Sequence, residues 1–96
     1  MDVHELLEHV IDAQSFLKFA KALTLDRVES KKIELLANIN VNTNEESKWE
    51  NNTIESFLDA AIAWAEDSDF GVSQGLLPSN PWRQFAVFLY SGKIYE

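Results

Sequence analysis

The 96-residue chain contains no cysteine, one methionine, two prolines, three glycines and two histidines. Without cysteine there is no disulfide, no thiolate nucleophile and no Cys-ligated zinc. A reducing compartment suits such a chain, and the expected location is cytoplasmic. No apolar run approaches about 18 residues, so no membrane span is expected. The opening Met1-Asp2-Val3-His4-Glu5 lacks a basic region followed by an apolar run, so no secretory leader is expected either. Asn51-Asn52-Thr53 matches a glycosylation acceptor but reads as coincidence in a chain not expected to be secreted. Positive charge is scarce too. Eight Lys and Arg stand against sixteen Asp and Glu, a formal net charge of −8. Duplex nucleic acid and anionic membranes are disfavoured as partners, because both are bound by neutralising phosphates. A basic protein would be attracted, and its association accelerated.

What is present suits one compact domain covering residues 1–96. Hydrophobic residues make up 46% of the chain, and six Phe, three Trp and two Tyr supply large buried areas. The fold class read from the periodicity is mainly α, a single small bundle of four to five helices with an Asn-rich loop near 39–48. Val3, Leu6, Leu7 and Val10 fall at helical offsets, as do Phe16, Leu17, Ala20 and Leu23. Asp12 offers an N-cap between them, with Ser15 as its partner; one long bent helix over 3–25 is the alternative. Asp26-Arg27-Val28-Glu29 reads as a capping box for a further helix carrying Ile33, Leu36 and Ala37, or as a continuation of the one before. Asn38, Asn40, Asn42 and Asn44 then alternate with Ile39, Val41 and Thr43, a texture in which side-chain bonds compete with regular structure.

The clearest helix follows. Asn52 with Glu55, or Thr53 alone, caps a stripe of Ile54, Phe57, Leu58, Ala61, Trp64 and Ala65 expected to face the core. Asp67-Ser68-Asp69-Phe70-Gly71 ends it. Acids oppose the helix dipole there, which hints at a basic group nearby. Residues 68–79 read as a loop. Asn80-Pro81 opens a last helix with Trp82, Phe85, Ala86 and Leu89 on one stripe and Gly92 as its stop. A hairpin over 85–95 is the weaker rival.

Motifs for chemistry are weak. His4 and His9, five apart, sit about 140° apart on a helix and share no site. Asp67-x-Asp69-x-Gly71 resembles a calcium loop briefly, but Pro78 stands where a bidentate Glu is needed. No Ser-His-acid set and no phosphate-cradling glycine run is present. No enzyme activity, cofactor or metal is therefore expected. The acids are concentrated. Glu45, Glu46, Glu50, Glu55, Asp59, Glu66, Asp67 and Asp69 stand against Lys48 alone, whereas Lys18 to Lys32 is net basic. Trp64 and Trp82 read as core residues. Trp49, ahead of the helix, reads either as a staple of that entry against the core or, as the first choice among the aromatics, as a residue exposed for binding.

Taken together, Trp49-Glu50-Asn51, Thr53, Phe57-Leu58, Trp64, Asp67, Pro81-Trp82, Phe85-Ala86 and Tyr95-Glu96 resemble a family of small bacterial domains of unknown function. The likeness extends back to Phe16-Leu17-Lys18-Phe19. The Asn-rich stretch before Trp49 departs from that family's usual pattern. The resemblance implies a bacterial cytosolic protein and transfers no active site. The function expected is a protein-binding module, such as an immunity-type inhibitor of a basic partner, with the eight acids and Trp49 as its contact residues. Oligomeric state is not readable. The alternatives are a self-associating structural protein, and a small-ligand-binding protein or hydrolase using paired carboxylates.

Overall fold

In a computed structural model, residues 2–38 and 49–95 are described, and they form a helical bundle. The elements are α1 (Val3–Glu8), α2 (Ala13–Asn38), α3 (Ile54–Ser68), a 3-10 turn (Val72–Gln74) and α4 (Pro81–Ile94). Among the described residues there is no strand, so the helix reading of 81–94 holds over the hairpin. Also among them, no helix is long and apolar enough to cross a membrane. The expected loop at 39–48 lies outside the described residues.

Each helix start is set by a side chain that satisfies orphan amide groups. Asp2 accepts from the Glu5 amide at 2.8 Å. Asp12 and Ser15 form a reciprocal pair: the Ser15 amide donates to Asp12 Oδ1 at 2.8 Å, and the Asp12 amide donates to Ser15 Oγ at 3.0 Å. The hydrogen bond from the Ser15 amide holds the Asp12 carboxyl below the usual carboxylate range. The break at 9–12 thus makes two helices of the first 25 residues. At α3 the cap is Thr53 with Ser56, not Asn52 with Glu55, because the hydroxyl pair closes both bonds of the box. Asn80 caps α4, with Pro81 in its first turn.

One proposed cap does not form. α2 runs without interruption from Ala13 to Asn38, and Asp26 lies in its middle. No glycine or proline falls in that span to break it, and the Asp26 carboxylate has other partners, described below.

α4 is the central element and packs against α1, α2 and α3; α2 and α3 do not pack on each other. The core holds Leu6, Leu7, Val10, Phe19, Leu23, Trp49 and Ala86, with Ala60, Ala61 and Trp64 also buried. Trp64 is the core residue its stripe predicts. Trp82 is not: it is 40% exposed, and its ring leans on Phe16 with centroids 5.6 Å apart. Sitting in the first turn of α4, it reaches the rim of the bundle. Phe85 is also exposed, so only Ala86 and, in part, Leu89 of that stripe face inward.

Helix α3 ends in consecutive left-handed residues, Asp69, Phe70 and Gly71. The Asp67-x-Asp69-x-Gly71 run is therefore a helix stop. Phe70 turns inward and stacks on Phe88 at 5.5 Å. Gly92 does not stop α4, which continues to Ile94 with Tyr95 as its cap. Its missing side chain serves packing instead: a Cβ there would lie 2.7 Å from the Phe57 ring. Phe57 is itself stacked on Trp49 at 5.9 Å and has little room to retreat. Overpacking of this kind costs about 1–3 kcal/mol, against a helix-propensity gain of about 1 kcal/mol for removing glycine. Gly92→Ala is expected to destabilise the fold in a urea titration; a gain in stability would show that the Phe57 contact is loose.

Candidate functional site

The segment Trp49-Glu50-Asn51-Asn52-Thr53 is where four parts of the chain meet. Asp26 sits on the inner side of α2, and Lys93 on the last turn of α4. The Lys93 ammonium donates to Asp26 Oδ2 at 2.7 Å, and the Trp49 indole N–H donates to the same oxygen at 2.8 Å. The Lys93 side chain is 8% exposed and that of Asp26 32%. Lys93 also lies over the Trp49 ring at 5.8 Å and Arg27 at 5.4 Å, so the indole is flanked by two cations. Trp49, expected at the surface, is therefore a core residue at 9% exposure. Nothing in the local pattern showed that its N–H had a part-buried carboxylate to reach.

The neighbouring residues cap helix ends. The Glu50 amide donates to the Lys93 carbonyl at 3.0 Å. The Asn51 side-chain amide donates to the carbonyls of Gly92 at 3.1 Å and Tyr95 at 2.9 Å. These bonds satisfy carbonyls that the C-terminus of α4 leaves orphaned. Arg27 pairs with Glu34 at 3.0 Å and donates to the Asn52 carbonyl at 3.1 Å, pinning the start of α3 to α2. Trp49, Asn51 and Thr53 of the Trp-Glu-Asn-x-Thr pattern are thus joints of the fold.

The acids are placed differently. Glu45 and Glu46 lie outside the described residues. Glu50, Glu55, Asp59, Glu66, Asp67 and Asp69 are all exposed, and they do not converge. Near the end of α3 a hydroxyl meets the acids: Tyr95 donates to Asp67, and that bond raises the Tyr95 pKa above its ordinary value. His4 lies 3.8 Å from Glu8, and His9 Nδ1 meets the Glu5 carbonyl, each on the surface of α1. Among the described residues no group of three or more His, Asp or Glu could hold a metal ion.

Two features remain after these structural roles are assigned. The first is the outer side of α3. Ile54, Leu58 and Ile62, one turn apart, are 77%, 45% and 46% exposed. At about 100° per residue, Glu55, Asp59 and Glu66 form a row directly beside them. The second is the space between α2 and α3. Two adjoining hollows of about 500 and 470 Å³ share Arg27, Lys31, Trp49 and Phe57. The larger extends to Ile54 and Leu58, the other to Leu23, Val28 and Leu89. Among the described residues, no carboxylate lines either hollow. Sequence reasoning missed both features, because it assigned Ile54 and Leu58 to the core.

The Asp26–Lys93 pair gives a direct test. Lys93→Met removes the ammonium from Asp26 Oδ2, and Asp26→Asn leaves that ammonium facing a neutral amide. Each is expected to cost about 1.5–3 kcal/mol, the range for hydrogen bonds to charged groups. The partial exposure of Asp26 keeps this below the fully buried case. The double variant Asp26→Leu with Lys93→Met is expected to recover part of that loss in a double-mutant cycle. Single variants within about 0.5 kcal/mol of the parent, the scatter of ordinary surface substitutions, would show that the pair is not coupled to folding.

No curated protein and no solved structure matches the chain. Residues 12–96 match the Family of unknown function (DUF7660). That match spans α2, α3, α4 and the segment that clasps them, and the chain belongs to this family.

Proposed function

We propose that the protein is a binding module for a basic protein partner and that the outer side of α3 is its contact surface. The observation that carries this reading is the exposed aliphatic row Ile54, Leu58 and Ile62 with carboxylates along one edge. Apolar side chains at the centre of a contact supply most of its energy, and charges at the rim steer the encounter and select the partner's sign. Of the acids expected to make contact, Glu55, Asp59 and Glu66 belong to this surface. Trp49 does not, since it is committed to the core. Asp67 and Asp69 stand at the end of the same helix, where they extend the negative field.

A recognition role is preferred to catalysis for a chemical reason. A general acid or base needs a carboxylate held in a cleft with a shifted pKa. The exposed acids of α3 lack such surroundings, and part-buried Asp26 is bound to Lys93 and Trp49. The lack of cysteine agrees with the bacterial cytosolic setting that the family resemblance implies.

Photocrosslinkers placed at positions 58 and 62, with position 18 on the far side of α2 as control, test this reading in native cells. A discrete basic protein captured from 58 and 62 but not from 18 is expected. With that partner purified, Leu58→Asp should weaken binding by about tenfold or more, as for a central contact residue. Glu55→Gln with Asp59→Asn should chiefly slow association and flatten its salt dependence. Capture of only a second copy of this chain, or binding indifferent to these changes, would sink the proposal.

A further inference from the structure

The hollow between α2 and α3 meets the aliphatic row of α3 at Ile54 and Leu58, but its opposite wall, on α2, has a different chemistry. The protein is strongly acidic, yet the charged side chains that line this groove among the described residues are two cations, Lys31 and the Glu34-paired Arg27. Arg27 and Lys31 line both halves of it, and among the described residues no carboxylate lines either. They lie on one face of α2, four residues apart, so their side chains stand one above the other. Arg27 uses three N–H bonds on Glu34 and the Asn52 carbonyl, of the five a guanidinium carries. Among the described residues, Lys31 makes no hydrogen bond or ion pair and is exposed. The start of α3, at Asn52 and Thr53, borders the same end and adds the positive end of a helix dipole. The walls are otherwise apolar: Leu23, Val28 and Leu89 on one side of Trp49 and Phe57, with Ile54 and Leu58 on the other.

An apolar trough of this size with cations along one wall is complementary to a molecule with a hydrocarbon body and one negative end. A neutral hydrocarbon would leave Lys31 unanswered. An amphiphile with a cationic head would be repelled by it. A highly charged ligand would leave the aliphatic walls uncovered.

The geometry points to this groove as a binding site for a small amphipathic carboxylate, its carboxylate against Lys31 and Arg27 and its chain along Trp49, Phe57 and Leu89. The groove shares Ile54 and Leu58 with the contact surface proposed above, but its cationic wall on α2 lies outside that surface. Ile62 and Glu66 do not line the groove, and Lys31 is not on the outer side of α3.

Decanoate, kept below its micelle concentration, is a suitable probe for the full chain labelled with nitrogen-15. Saturable shifts of the Trp49 indole N–H and of the amides of Arg27, Lys31, Ile54 and Leu58 are expected. Decanol and decyltrimethylammonium should bind at least about tenfold more weakly, because they keep the chain but lack the negative charge. Lys31→Glu, at an exposed position, should weaken decanoate by a similar factor and leave the fold intact. Lys18→Glu, away from the groove, should leave it unchanged.

Shifts absent from the groove, or equal binding of all three amphiphiles, would overturn the inference. So would indifference to Lys31→Glu. Displacement of decanoate at lower concentration by a short acetylated peptide carrying Leu beside Glu would also overturn it, because the groove would then belong to a partner chain. A failed partner capture at position 58 would leave these results untouched.

Discussion

One carboxylate oxygen holds this bundle together. Oδ2 of Asp26, in the middle of α2, receives both the Lys93 ammonium from the end of α4 and the Trp49 indole from the segment before α3. Three stretches far apart in sequence are thereby fixed at a single atom. Ion pairs with little access to water are weak evidence for net stability, since desolvation offsets much of their attraction. Their effect here is better described as specification. Oδ2 of Asp26 gains both of these bonds only if Trp49 and Lys93 arrive together, and Asn51 then reaches the last carbonyls of α4. Slipping α4 by one residue would lose these bonds at once.

The same joint leaves other surfaces open. Because Trp49 fills the gap between α2 and α3, those helices are bridged without packing on each other, and a groove remains between them. α3 turns Phe57, Ala60, Ala61 and Trp64 towards the interior. That orientation brings Ile54, Leu58 and Ile62 to the outer edge, next to a line of carboxylates. The carboxylates thus run along one edge of the exposed aliphatic row, while the groove holding Arg27 and Lys31 borders that row at Ile54 and Leu58. The charge asymmetry between residues 18–32 and 45–69 becomes a spatial asymmetry about that row.

Much of the fold was legible because its signals are local. The Asp12–Ser15 and Asn80-Pro81 starts are read within four residues, and the periodicity of 54–65 and 82–89 rightly indicates helix. The joint was not legible, because its bonds span long separations. Asp26 with an acid three residues on has the pattern of a cap, and only Lys93 and Trp49, distant in sequence, show its actual role. Gly92 has the pattern of a helix stop, and only the Phe57 ring shows why it lacks a side chain. The acids on α3 were visible in the sequence. The aliphatic row beside them was not, since a stripe wide enough for a core-facing helix does not show which edge another helix will leave bare. Trp49 and Trp82 exchanged their expected places for the same reason: periodicity gives a face, and tertiary partners decide its burial.

The joint can be followed at the Trp49 indole N–H, whose hydrogen exchange reports how often the bond to Asp26 opens. Openings range from nearly free local fluctuations to global unfolding. If Asp26 organises the bundle, this proton exchanges only through global unfolding, with an opening free energy equal to the unfolding free energy from urea titration and the same urea dependence. Exchange through a small local opening, insensitive to urea while α2 and α4 amides stay protected, would show that the helices hold together without it and would contradict the account.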